Sequence, residues 1–184
     1  MPPFTNLTLS WPSEEAFLSY WEPHYIWPDA ELYDPHIGKR LTEKRLWDLF
    51  HWKNGGPIAA RKRESIRRNY PVRPPKDLAG RYLNPRQAGG AIWNIFYLHC
   101  VDPQRWPIYD QHAHRAMIWI LDGVIDELPT AGTHAAKSAI YTSYQQRFIP
   151  FITEHFTCSD FRRIDRSLFA FGKVLKSLAA HLPR

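Results

Sequence analysis

Residues 107–115 read P-I-Y-D-Q-H-A-H-R and bring Asp110, His112, His114 and Arg115 close together in the chain. Asp110 stands where a helix N-cap is expected, because a capping carboxylate accepts hydrogen bonds from the first backbone N–H groups. A carboxylate fixed in this way can also stabilise positive charge that develops on a reacting substrate. Asp110 and His114 share one helix face and could together contact a metal ion. The segment is therefore a reaction centre, a metal site or only a capped helix.

A metal here would need a ligand beyond Asp110 and His114, because a catalytic zinc usually takes three protein ligands. His99 is the nearest upstream candidate for the third, and the H-E-x-x-H pattern of zinc hydrolases is absent. His112 and His114 are two positions apart and diverge on a helix, so we expect His112 to orient locally and His114 to be partly exposed. A metal-dependent hydrolase centred on Asp110 and His114 is one alternative function. The favoured assignment has no metal and no cofactor.

A second unusual stretch lies at residues 84–90, which read N-P-R-Q-A-G-G. Glycine in the first turns of a helix costs about 1 kcal/mol relative to alanine. The pair Gly89-Gly90 therefore indicates a close approach of another backbone or of a phosphate chain. It is equally consistent with a helix that begins only at Ala91, after a glycine-containing hairpin. N–H groups near a helix start can hold a phosphate oxygen, whereas tight helix packing would need no ligand.

The charge is distributed unevenly along the chain. The formal net charge is +6 and the pI about 9.4. Residues 1–38 contain six acids and no Lys or Arg, whereas residues 39–76 contain twelve Lys or Arg and three acids. Such a basic segment is typical of a surface that binds a polyanion, most plausibly nucleic acid, although a solvated helix face has the same composition. The densest cluster consists of Arg61, Lys62, Arg63, Arg67 and Arg68.

Length and composition indicate a single globular unit. The 184 residues are 44% hydrophobic and show no period-two alternation, which predicts an all-α fold of six to eight helices. Cys100 and Cys158 match no metal or redox spacing, as is usual for a protein of the reducing cytosol. No apolar run of membrane-spanning length occurs, and the N-terminal residues do not have the pattern of a signal peptide.

Helical spacing and capping residues divide the unit into segments. Asp165 lies within reach of Arg162 and Arg166 and predicts a surface ion pair, and Gly172 predicts close helix packing. The predicted helices are 13–21, 41–53, 57–69, 85–101, 110–121, 133–156 with a kink at Pro150, and a last helix from Ser159 or Asp160 with an apolar stripe to Leu182. The segments are an acidic, Pro- and aromatic-rich arm (1–40), a basic helical segment (41–76), a hairpin-like segment (80–121) and C-terminal helices (133–184).

The hairpin-like segment resembles a known superfamily. A glycine-bearing hairpin (84–90), an apolar helix, a short loop and then a Pro-apolar-x-Asp-x-His sequence (107–112) is the order found in the helix-hairpin-helix DNA glycosylases. The resemblance covers residues 80–121, less than a third of the chain. Tyr109 is an extra residue in the motif, and the hairpin matches the family's leucine-proline-glycine-valine-glycine pattern only loosely.

Two further departures have functional meaning. Bifunctional members of the superfamily carry a nucleophilic lysine just after the hairpin glycines, but no Lys lies between Asp77 and Tyr109. The resemblance therefore implies a monofunctional enzyme. Two cysteines are too few for an iron–sulfur cluster, which takes four ligands.

The resemblance implies a glycosylase-like fold that binds double-stranded DNA and hydrolyses the N-glycosidic bond of a modified or mismatched base. Asp110 would be the catalytic residue, stabilising the positive charge that builds on the sugar. The purely structural alternative is that Asp110 serves only as a helix cap. Contacts to DNA would come from the basic cluster and the hairpin, namely Arg61, Lys62, Arg63, Arg67, Arg68, Arg86, Gln87, Gly89 and Gly90.

The target base must leave the duplex, so a pocket is expected to receive it. The other main alternative is a non-catalytic nucleic-acid-binding protein of the same fold. The expected location is the bacterial cytosol or nucleoid, with no membrane partner, and the excised base and the oligomeric state stay open. The candidates for the pocket are Trp93, Trp106, Tyr109 and His112.

Overall fold

The computed structural model describes residues 11–130, 132–157 and 160–181. Over these residues the protein is helical and contains no strand, which confirms the predicted all-α class. Cys158, Ser159 and Leu182 lie outside the described residues. The helices are α1 (Glu14–Trp21), α2 (Glu43–Asn54), α3 (Ala60–Asn69), α4 (Leu78–Tyr82), α5 (Ala91–Val101), α6 (Gln111–Asp122), α7 (His134–Ser143), α8 (Ile149–His155) and α9 (Phe161–Ala179).

Capping residues set most helix boundaries where the sequence predicts them. The side chains of Ser13, Thr42 and Thr133 accept hydrogen bonds from the first turns of α1, α2 and α7. Gly55 and Gly123 end α2 and α6 in the left-handed conformation that glycine adopts without strain. Asp160 caps α9, whose start was predicted there or at the preceding residue.

Two helices begin later than predicted. The Asn54 side chain donates to the carbonyl groups of Gly56 and Pro57, and this turn delays α3 until Ala60. The Asn84 side chain accepts from the Arg86 N–H, so the residues before Ala91 form a turn rather than the first part of α5. The predicted alternative of a helix that begins only at Ala91 is therefore confirmed, and the continuous helix over 85–101 is wrong.

The helix α4 is not among the helices predicted from the sequence. Asp77 accepts a 2.9 Å hydrogen bond from the Gly80 N–H and starts a single short helix. Between α7 and α8, a π-helical turn spans Tyr144–Phe148 just before Pro150. Pro150 has no N–H to donate, and this wider turn accommodates the missing hydrogen bond. Counting α7 and α8 as one interrupted helix gives eight helices in the described part of the chain.

The most extensive helix pair is α6 against α9. The two backbones approach so closely that a Cβ on Gly172 would overlap the His112 carbonyl group, whose carbon would lie 2.6 Å away. This confirms the close packing predicted at Gly172. Because α6 carries Asp110 at its start and α9 carries Asp165, the contact fixes the relative position of these two acids.

The N-terminal arm packs across α9 and also contacts α2. Phe17 and Trp21 of α1 contact Phe171 with ring centroids 5.7 and 5.0 Å away. The same core continues through the rest of the chain, joining residues from α1 to α9 in one hydrophobic cluster.

Candidate active site

Asp110 caps α6, as the sequence predicts, and also makes an ion pair that the sequence did not reveal. Its Oδ1 atom accepts hydrogen bonds from the N–H groups of His112 (2.9 Å) and Ala113 (3.1 Å). Its Oδ2 atom lies 2.9 Å from Nζ of Lys53. Burial by itself raises the pKa of Asp110, but the Lys53 and His112 charges and the Ala113 N–H outweigh it and hold the pKa at about 2. The carboxylate is therefore ionised throughout the neutral range.

Lys53 is the functional residue that sequence reasoning missed. It comes from the last turn of α2, outside the segment that resembles a known family, and its side chain is only 11% exposed. Its Nζ lies 5.7 Å from the centre of the Phe96 ring on α5. A lysine in the last turn of a helix is usually placed there by the helix dipole, so its sequence position gave no sign of a buried partner.

The residue after Lys53 connects the Asp110 site to the basic helix α3. The Asn54 Oδ1 atom accepts a 2.5 Å hydrogen bond from Nζ of Lys62. The same Lys62 ammonium lies 3.9 Å from the centre of the Trp93 ring in the first turn of α5. Contacts therefore run from Asp110 through the end of α2 to α3 and to the start of α5.

The remaining cations of α3 face outward. Arg61, Arg63, Arg67 and Arg68 are exposed, and the helix buries only Ile66. Among the described residues, the ion pair recorded for these arginines is a 3.4 Å contact between Arg68 and the exposed Glu64. The Arg63 guanidinium stacks 4.9 Å from the centre of the Trp47 ring on α2. Helix α3 thus presents most of its positive charge to solvent.

Packing explains Gly89, the first of the two glycines before α5. Gly89 has a φ of +90°, and a Cβ there would lie 2.5 Å from the Tyr70 hydroxyl and 2.8 Å from Asn94 Oδ1. Tyr70 and Asn94 are themselves joined by a buried 2.7 Å hydrogen bond. The Gln87 carbonyl accepts from Lys137, while Arg86 and Gly90 are exposed. Of the hairpin residues predicted to contact DNA, Arg86 and Gly90 thus lie on the surface.

The four aromatic and histidine side chains expected to form a base pocket do not come together. Trp93 stacks on Phe50, with ring centroids 5.4 Å apart. Trp106 is only 8% exposed, and Tyr109 only 1%. His112 packs on Phe169, with ring centroids 4.5 Å apart. These side chains pack in separate places, because the segments that carry them, two helices and the loop between them, face different neighbours.

The residues considered as metal ligands each have other hydrogen-bond partners. Nδ1 of His114 lies 2.8 Å from the Tyr109 hydroxyl, and its Nε2 lies 3.2 Å from Asp126. The expectation that His114 is partly exposed is wrong, since its side chain is 5% exposed. His99 lies between the Tyr33 hydroxyl and the Trp106 carbonyl. The described residues contain no group of three or more His, Cys, Asp or Glu side chains arranged to hold a metal ion.

A cleft that is partly open to solvent lies beside the start of α6. Asp165 of α9 contributes the acidic group to its wall. Asp165 pairs with Arg162 at 2.9 Å, and their side chains are 12% and 11% exposed, so the predicted surface ion pair is in fact largely buried. The rest of the wall comes from the loop before α6, from α6, from α8 and from α9, including Arg105, Ile108, Ala113, Ile152, Phe161 and Leu168.

Comparisons with protein-family models, with curated proteins and with solved structures found no match to this chain. Within the described residues, no helix combines the length and the apolar character needed to cross a bilayer. The function must therefore be inferred from the site itself.

Proposed function

We propose that this chain is a monofunctional DNA glycosylase that resembles the helix-hairpin-helix superfamily. The observation that carries the proposal is the continuity between an ionised, largely buried carboxylate and a basic surface. Asp110 is joined by Lys53 and Asn54 to Lys62, and so to the exposed arginines of α3. Phosphate contacts by α3 would hold the DNA backbone while the carboxylate acts on a nearby sugar.

Asp110 would stabilise the transition state by its charge. As the base departs, positive charge builds on the sugar, and a fixed carboxylate lowers the energy of that state more than the energy of the neutral substrate. The two backbone N–H groups and Lys53 hold Asp110 in one orientation before substrate arrives. Lys53 is thus a positioning residue for Asp110, and no lyase step is assigned to it.

A second candidate is a nucleic-acid-binding protein of the same fold without catalytic activity. It is favoured by the full engagement of Asp110, since both carboxylate oxygens already have partners and the side chain is 19% exposed. Under this alternative Asp110 serves only as a helix cap. Both candidates imply that the protein works where DNA is found, in the cytosol or nucleoid.

Binding to a transition-state mimic separates the two candidates without knowledge of the target base. One duplex carries a cationic pyrrolidine abasic mimic and the other is unmodified. We expect the protein to bind the mimic about 100-fold more tightly or better, because a catalyst prefers its transition state. Asp110→Asn should remove most of this preference, since asparagine keeps the helix cap but not the charge.

The control is Asp122→Asn at the other end of α6, whose carboxylate forms an exposed pair with Arg147. It should retain the preference for the mimic. Thermal unfolding of both variants shows that they are folded. Equal, salt-sensitive binding of the two duplexes would favour the non-catalytic protein, and binding to neither would reject a nucleic-acid function.

A further inference from the structure

The cleft beside α6 combines apolar walls with one acidic group. Ile108, Ile152 and Leu168 line it together with the Phe161 ring, and Asp165 is the carboxyl group on its wall. Apolar walls suit a flat, uncharged ring, and a carboxyl group among them can make a directed contact with one atom of that ring. Ile108 and Ala113 of its wall lie two residues before and three residues after Asp110 in the chain.

Asp165 has a different electrostatic environment from Asp110. Burial is the main influence and raises the pKa of Asp165 to about 6; the Arg162 charge opposes this shift and the Asp110 charge adds to it. Asp110 has a pKa of about 2, so the two acids hold their protons over different pH ranges. The charged and titratable groups around Asp165 are Arg162 on α9, Asp110 before α6, Lys53 on α2, Tyr25 and Tyr33 in the arm, and Arg105 in the cleft wall.

We propose that the cleft receives the departing base and that the Asp165 carboxyl group is its proton donor. The inference rests on the proposed glycosylase function and adds a second catalytic residue to it. Two carboxyl groups in contrasting environments, one ionised and one able to carry a proton, are the arrangement that most glycoside hydrolases use.

The step balances in atoms and charge. The bond between the sugar C1′ and the base nitrogen breaks, and its electron pair goes to the base. The Asp165 proton passes to a nitrogen or oxygen of the base, which leaves as a neutral molecule. Water then adds to C1′ beside Asp110 and loses a proton to solvent, and Asp165 takes a proton back from solvent.

Arg162 would position Asp165 rather than contact the base. Its Nη1 donates to Asp165, and its Nε donates to Asp34 of the arm at 3.1 Å. Its guanidinium also stacks 4.1 Å from the centre of the Tyr33 ring. These contacts hold the guanidinium on the side of Asp165 toward the arm.

The test uses the product complex of the full-length protein. The protein is saturated with the pyrrolidine duplex, and free adenine, hypoxanthine and uracil are then titrated separately at pH 5.5 and pH 8. If Asp165 donates a proton or hydrogen bond to the base, at least one base should bind about tenfold more tightly at the lower pH. Asp165→Leu, which has no hydrogen-bond donor, should weaken that binding about tenfold at pH 5.5 and make it insensitive to pH.

The matched control is Asp102→Leu. The Asp102 carboxyl group accepts from the Arg105 N–H and does not line the cleft. This variant should bind the base as the unchanged protein does. If Asp165→Leu binds the base equally well, or if none of the three bases binds, the assignment of Asp165 is overturned. Asp165→Leu should still bind the pyrrolidine duplex, whereas loss of that binding in the unchanged protein would mean that the glycosylase function itself has failed.

Discussion

Two helices carry most of the clustered arginines, and they use them in opposite ways. On α3 the arginines are exposed and make little contact with acids. On α9, Arg163 pairs with Glu15 at 2.7 Å and with Glu22 at 3.0 Å, and Arg166 pairs with Asp34 at 3.2 Å. The acidic arm thus neutralises α9 and leaves α3 uncovered.

The difference follows from how each helix packs. Helix α9 has a continuous apolar stripe and lies between α6 and the arm, so its arginines meet the acids of the arm. Helix α3 buries Ile66 alone and therefore presents its cations to solvent. Equal densities of arginine in a sequence do not give equal electrostatic surfaces, because the fold decides which charges are neutralised.

The largest expected effect concerns DNA affinity. Changing the exposed arginines of α3 to alanine (Arg61, Arg63, Arg67 and Arg68) should weaken binding to plain duplex about 100-fold or more at 0.1 M salt. The slope of log affinity against log salt should become shallower by about 0.9 for each phosphate that the variant no longer neutralises. The control is Arg163→Gln on α9, which should leave the slope unchanged because the arm already neutralises this residue. Similar weakening in both variants would contradict the comparison.

The next effect is on stability, and it should be large for an arginine of α9 and small for an arginine of α3. Arg162→Met removes the cation beside the buried Asp165, and breaking a buried ion pair costs about 3 kcal/mol. Arg67→Met on α3 should change the free energy of unfolding by less than about 0.5 kcal/mol, because the side chain is exposed. Urea unfolding at pH 8 measures both. A small loss of stability in Arg162→Met would show that Asp165 does not depend on its partner.

The smallest effect is a dependence on pH. Because the pKa of Asp165 is raised to about 6 in the fold from an ordinary 3.8, its ionised form destabilises the fold above pH 6, and protonation relieves this as the pH falls. Relative to Asp165→Asn, the unchanged protein should gain about 1 kcal/mol of stability between pH 7.5 and 5.

Both proteins should lose stability over the same range. Burial lowers the pKa of His99 to about 3, so the unfolded chain takes up a proton below pH 6.5 that the folded chain does not. The informative quantity is therefore the difference between the two unfolding free energies. A difference that does not change with pH would mean that Asp165 titrates normally in the fold.

The sequence predicted the helices well where capping residues and apolar spacing agree. The Asp110 cap and the close packing at Gly172 are local signals, and the structure confirms them. The late start of α5 was one of two stated possibilities. Local patterns settle such features because they depend on neighbours within a turn or two of the chain.

The site itself depends on contacts that no local pattern records. Lys53 meets Asp110 across 57 positions of sequence, and Arg162 meets Asp34 across 128. The base pocket was predicted from aromatic residues that are near Asp110 in the chain. One of them, Tyr109, is nearly inaccessible in the core. Which long-range partners meet is set by how helices stack, and this is what the sequence alone did not supply.

The crossing of α6 and α9 at Gly172 also has a mechanical consequence. His112 is two residues from Asp110, and Gly172 is seven residues from Asp165. Asp165 therefore lies about 10 Å along α9 from the point where the two helices cross. A rotation of about 5° there would move Asp165 by about 1 Å, more than a catalytic geometry tolerates. The close contact that Gly172 allows between the two helices therefore holds Asp110 and Asp165 at a fixed separation.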